Sequence, residues 1–208
     1  MQTILYKAES MTLPNQLTIL RIILTPIFLV LFLSPEPLLK QISLVVFIIA
    51  ALSDWYDGWL ARKFNYITEW GKFMDPLADK ILTSAAFLGF ALVGLLEWWM
   101  VVIVLIRDFS ITLLRVYADK NGYIFHTSNY AKWKTMLQMV FLYYLLIIYV
   151  MSFVPALSVK YATVFNILLD EKIIYYTMLL ITIITVHTGY LYIRKNIELI
   201  KKLFLIKN

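Results

Sequence analysis

Residues 53–80 read SDWYDGWLARKFNYITEWGKFMDPLADK, and they put four carboxylates where the surrounding sequence calls for lipid. On one side the apolar run 41–60 leads into Asp54 and Asp57; on the other, Asp75 and Asp79 open the run 77–96. Asp54 and Asp57 are three apart and Asp75 and Asp79 four apart, spacings that bring each pair onto one face of a helix. Pro76 suits the first turn of a helix, where its missing N–H leaves no bond unmade. Charged groups at the edge of a membrane span are costly, so they face a cavity and mark function. The stretch therefore reads as two transmembrane helices, each offering two carboxylates to one site.

The rest of the chain agrees with a membrane reading. It has 208 residues, 62% of them hydrophobic and only 15% charged, against about 25% charged in soluble domains. A span needs about 20 mainly apolar residues. Six runs qualify: Leu17–Leu33, Gln41–Leu60, Leu77–Leu96, Trp98–Ala118, Met136–Val154 and Ile173–Ile193. The expected fold is an all-α integral membrane domain of six helices covering residues 1–208. Residues 1–14 are a candidate interfacial segment, and they carry no cleavable leader pattern. If the N-terminus is cytoplasmic, sixteen of the nineteen Lys and Arg residues fall on the cytoplasmic side; only Lys40, Lys160 and Lys172 fall opposite. The positive-inside rule then puts both termini, and the cavity holding the aspartates, on the cytoplasmic side of the cell (inner) membrane. The net charge of +6 reports loops facing anionic lipid rather than nucleic acid. The absence of cysteine excludes disulfides, thiolate metal sites and cysteine nucleophiles.

Four carboxylates at close range need a compensating charge. Oxygen ligands without Cys or His suit magnesium or manganese, and calcium by the same argument. Two pairs can hold two ions, which can clamp both oxygens of a phosphoryl displacement. Gly58 and Gly71 would let a nucleotide approach the backbone, and Arg62 could grip a phosphate with its fork of donors.

The spacing D-x2-D-G-x2-A-R-x8-G-x3-D-x3-D, supplied by Asp54, Asp57, Gly58, Ala61, Arg62, Gly71, Asp75 and Asp79, resembles the signature of the CDP-alcohol phosphatidyltransferases. The resemblance implies a six-helix membrane enzyme, often a homodimer. It implies that the aspartates bind metal and the CDP pyrophosphate, and that Asp79 takes the proton of the acceptor hydroxyl.

The acceptor is read from other segments. Leu13–Arg21, LPNQLTILR, is similar to the N-terminal segment of bacterial phosphatidylglycerophosphate synthases. Asn15 could cap the first helix. Together with Thr18 and Arg21 it could instead line the cavity; Arg21 either snorkels to headgroups or points inward. In the fourth run Asp108, Thr112 and Arg115 share a face at 100° per residue, with Arg107 about 80° from Arg115 by the same arithmetic. With Lys132 and Lys134 the two arginines could form a basic pocket for an acceptor bearing its own phosphate; the bland reading pairs one arginine with Asp108. The pattern R-D-x6-R followed by S-x2-A-K-x-K-T resembles the same synthases, with Ala131 where glycine is expected. The resemblance thus points to CDP-diacylglycerol as donor and glycerol 3-phosphate as acceptor. Phosphatidylglycerol and inositol phosphate are the alternative acceptors. A cation transporter using the aspartates would need broken spans or inverted repeats, which the sequence lacks. His126 reads as a loop residue, His187 as a packed one, and the basic, apolar tail from Arg194 as lying on anionic lipid.

Overall fold

A computed structural model describes residues 13–64, 69–123, 125 and 128–205. The described residues are helical, joined by turns, with α1 (Leu13–Leu33), α2 (Pro37–Phe64), α3 (Glu69–Leu92), α4 (Trp98–Lys120), α5 (Asn129–Met151), α6 (Pro155–Lys160), α7 (Ala162–Leu168), α8 (Glu171–Lys195) and α9 (Ile197–Leu205). Each of the six apolar runs falls within or largely within one long helix. Three of those helices, α1, α2 and α5, carry stretches long and apolar enough to cross a membrane by length and composition. In α3 and α4 charged residues interrupt the apolar run: Asp75, Asp79 and Lys80 in the one, Arg107, Asp108 and Arg115 in the other. The segment 154–172, whose shape the sequence left open, folds into the short α6 and α7. The candidate interfacial segment 1–14 lies outside the described residues except at Leu13 and Pro14.

The chain divides into two compact units. The first comprises Met1–Gly89 and Tyr149–Ala162. Its core is aromatic: Phe28, Phe32 and Phe47 are fully buried, and the Phe28 and Phe47 rings lie 5.1 Å apart. Gly89 of α3 lets α1 come close. A Cβ there would lie 2.9 Å from a Phe32 ring carbon and 3.3 Å from Leu29, so the small-residue spacing Ala85-x3-Gly89 serves as a packing seat. Pro26 interrupts α1 and removes the ladder bond its nitrogen would have made to Ile22. Lys40 is buried, yet its Nζ donates to the Phe32 carbonyl at 3.0 Å and sits over the rings of Phe32, Tyr149 and Phe153 at 5.7, 5.3 and 4.9 Å. A lysine capping the last turn of α1 complements the helix dipole, and the rings supply cation–π attraction.

The second unit comprises Phe90–Ile148 and Thr163–Asn208. Asp170 caps α8 by accepting from the Lys172 and Ile173 amides, which satisfies two otherwise orphaned donors. Below it α4 packs along α8. Ala118, Phe125, Tyr192 and Leu203 form a buried cluster with Leu199 and Ile200 against it. The α9 helix thus buries Leu203 against the protein, while Ile197 is exposed. Its Lys201 and Lys202 remain exposed.

Candidate active site

The first unit gathers the aspartates. Asp54 and Asp57 sit inside α2, and Asp75 and Asp79 inside α3. The α3 helix begins at Glu69, so Pro76 lies inside it rather than in its first turn as expected. The polar residues ahead of Pro76 fall outside the apolar run, yet they continue the same helix. Asp75 and Asp79 act electrostatically on Asp54, and Asp54 and Asp75 on Asp57, so the four share one neighbourhood. Asp57 is buried, whereas the Asp54 and Asp79 side chains are 44% and 38% exposed. Two carboxylates thus open toward a ligand, and Asp57 lies behind them. Lys80 approaches Asp79 to 3.9 Å.

The third wall is α1. Its buried polar residues Asn15, Thr18, Arg21 and Thr25 recur at steps of three and four, which is one helical face. The Thr18 hydroxyl donates to Asp75 Oδ1 at 2.6 Å. The fully buried Arg21 reaches Asp54 Oδ1 at 2.8 Å and Asp57 Oδ2 at 2.5 Å. Of the two readings of Arg21, the structure shows the inward one. Sequence reasoning placed Asn15, Thr18 and Arg21 beside a cavity but did not pair them with the motif aspartates; the polar stripe was the signal that could have done so. Gly58 is half-buried and Gly71 buried. Ala61 and Arg62 continue α2, and their side chains lie outside the described residues, as does His126.

Among the described residues no three of His, Asp and Glu converge as a ready set of metal ligands. The donor chemistry nevertheless fits a hard divalent ion: carboxylate oxygens without sulfur or imidazole. A guanidinium bridging Asp54 and Asp57 shows that this pair accepts a cation.

The second unit gathers the basic residues around Asp108, which is buried. Its Oδ1 accepts from Lys134 Nζ at 2.6 Å and from Arg107 Nη1 at 2.9 Å, and its Oδ2 from Gln138 Nε2 at 3.1 Å. Arg107 also donates to the Thr188 hydroxyl at 3.1 Å. It lies across α8 where Gly189 leaves room: a Cβ on that glycine would sit 3.2 Å from Arg107 Cγ. Buried charges persist when paired and hydrogen-bonded in this way. Pairing with Asp108 thus engages one of the two arginines, Arg107, as the bland reading has it, and Lys134 besides. Arg115 and Lys132 are exposed, and Arg115 acts electrostatically on Tyr192. Sequence reasoning missed Gln138 and Thr188 as partners; Gln138, four residues after Lys134 on α5, carried the only available signal. His187 is exposed rather than packed, with its Nδ1 3.3 Å from the Tyr130 hydroxyl.

Comparison with known proteins gives this arrangement a context. The family described as CDP-alcohol phosphatidyltransferase matches residues 11–168. The chain is 38% identical over 140 residues to the CDP-diacylglycerol–glycerol-3-phosphate 3-phosphatidyltransferase of Bacillus subtilis, covering 62% of this chain and 72% of that protein. It is 35% identical over 137 residues to a probable phosphatidylglycerophosphate synthase of Mycobacterium tuberculosis, covering 64% of this chain and 65% of that protein. A Salmonella paratyphi A protein named as the same transferase is 36% identical over 141 residues, covering 64% of this chain and 76% of the relative.

Proposed function

Because the chain belongs to the CDP-alcohol phosphatidyltransferase family, we propose that it transfers the phosphatidyl group of CDP-diacylglycerol to glycerol 3-phosphate, giving phosphatidylglycerophosphate and CMP. The observation that carries this reading is that Asp54, Asp57, Asp75 and Asp79 lie on two consecutive helices of one unit and feel one another's charge, in the spacing of the family signature. The relatives' names support the choice of donor and acceptor. The protein is a multi-pass protein of the cell membrane with six spans, both termini cytoplasmic and the site open to the cytoplasm. It forms one domain from residue 1 to 208 and works as a homodimer.

In this reading Asp54, Asp57, Asp75 and Asp79 hold two magnesium or manganese ions. When bound, the metal neutralises the pyrophosphate and makes CMP a good leaving group. Gly58 and Gly71 admit the nucleotide close to the backbone, Ala61 belongs to the same wall, and Arg62 pairs with a phosphate oxygen. Asp79 removes the proton from the 1-hydroxyl of glycerol 3-phosphate. That oxygen bonds to the phosphorus bearing diacylglycerol, and the bond from that phosphorus to the CMP oxygen breaks. Positioning and charge neutralisation supply most of such a barrier reduction. In the second unit Arg107, Arg115, Lys132 and Lys134 are the candidates for holding a phosphate, with Asp108 keeping Arg107 and Lys134 ordered. Asn15, Thr18 and Arg21 form the remaining wall.

The test is CMP release from purified protein given CDP-diacylglycerol, magnesium and a panel of alcohols. Glycerol 3-phosphate should support turnover while serine and free inositol do not. Turnover with phosphatidylglycerol or inositol phosphate alone would replace the acceptor.

A further inference from the structure

We infer that Arg21 is the resident cation of the Asp54–Asp57 pair before metal binds, and that it yields this position to the divalent ion and turns its guanidinium to a phosphate oxygen of the donor. The inference rests on the reading of the aspartates as metal ligands. Arg21 is fully buried and touches both carboxylates, so its guanidinium occupies the space between them. Its bond to Asp57 has hydrogen-bond geometry. Its approach to Asp54 does not, and Nη1 and Nε are buried without a hydrogen-bond partner. A guanidinium has five N–H donors, and here its capacity is poorly used. Asp54 and Asp57 carry two negative charges and Arg21 returns one. A divalent ion returns both, so the exchange neutralises the pair and frees a planar fork suited to phosphate. Asp54 is the partner exposed toward solvent, which makes the badly aligned contact the one an entering ion meets first.

This arrangement makes Arg21 a competitor for the metal as well as a wall of the site. A structural strut that merely held the carboxylates in place would help metal binding, and its loss would weaken it. Resident-cation exchange predicts the reverse.

The experiment uses the full chain in detergent with no donor or acceptor. Mn2+ affinity is read from the electron paramagnetic resonance signal of the free ion. Arg21→Gln should bind Mn2+ about tenfold more tightly than wild type, an increment of about 1.4 kcal/mol. Arg21→Lys should bind about threefold more tightly, because one ammonium on a shorter stem spans a single carboxylate. Mn2+ should also raise the melting temperature of Arg21→Gln more than that of wild type. Equal or weaker Mn2+ binding by folded Arg21→Gln overturns the exchange; if that variant does not fold, the same result in Arg21→Lys overturns it. Wild-type CMP release in the same preparation separates the two readings. Its presence with unchanged Mn2+ affinity sinks the exchange alone, and its absence sinks the proposed reaction.

Discussion

Replacing Asp108 with alanine removes one acceptor from three donors at once. Lys134, Arg107 and Gln138 all converge on this carboxylate, and the Lys134 and Asp108 side chains are only 1% and 5% exposed. Water therefore cannot replace the lost partner. Breaking a buried ion pair by removing one member costs about 3–5 kcal/mol, and a chain of this size melts about 2–4 °C lower per kcal/mol. Asp108→Ala should then lower the apparent melting temperature by roughly 6–20 °C, followed in detergent by circular dichroism at a fixed scan rate. Adding Lys134→Met should restore much of the loss, since exchanging both partners for apolar groups is near neutral. A single variant that melts within about 2 °C of wild type, less than 1 kcal/mol on this scale, would refute the view that Asp108 anchors this network. A double variant worse than the single would refute the pairing.

The remaining predictions concern the site and its frame. Asp79→Asn should abolish CMP release while CDP-diacylglycerol still binds; turnover at the wild-type rate would remove Asp79 as the base. Arg115→Ala should raise the apparent KM for glycerol 3-phosphate more than that for the lipid, and equal changes would point to a structural role. Gly89→Val should cost about 1–3 kcal/mol through overpacking against Phe32, visible as a lower melting temperature; an unchanged one would mean that α1 and α3 separate freely.

The long apolar helices were legible because apolar length is written locally, residue by residue. The aspartate constellation was legible because its members sit at fixed separations on two consecutive helices. Arg21 was not, since a lone arginine in an apolar run snorkels or turns inward at similar cost, and only the partner helix decides. The same holds for Asp108: its neighbour Arg107 on α4 is in the sequence, but Lys134 and Gln138 come from α5, and Arg107's own partner Thr188 from α8. Lys40 reads as a charge on the outer side until Tyr149 and Phe153, more than 100 positions away, join Phe32 around it. Pro76 was misplaced because the apolar run begins later than the helix that contains it.

Lys40 and Pro26 together give α1 a mechanical division of labour. The end near Phe32 is pinned by an ammonium and three rings. The proline then interrupts the ladder, and interior prolines are where helices bend. Arg21 lies five residues beyond it, about 7.5 Å along the axis at 1.5 Å per residue. A 10° flex at the proline would carry Arg21 about 1.3 Å sideways on this lever without disturbing the pinned end. That is a sizeable fraction of one ion-pair distance.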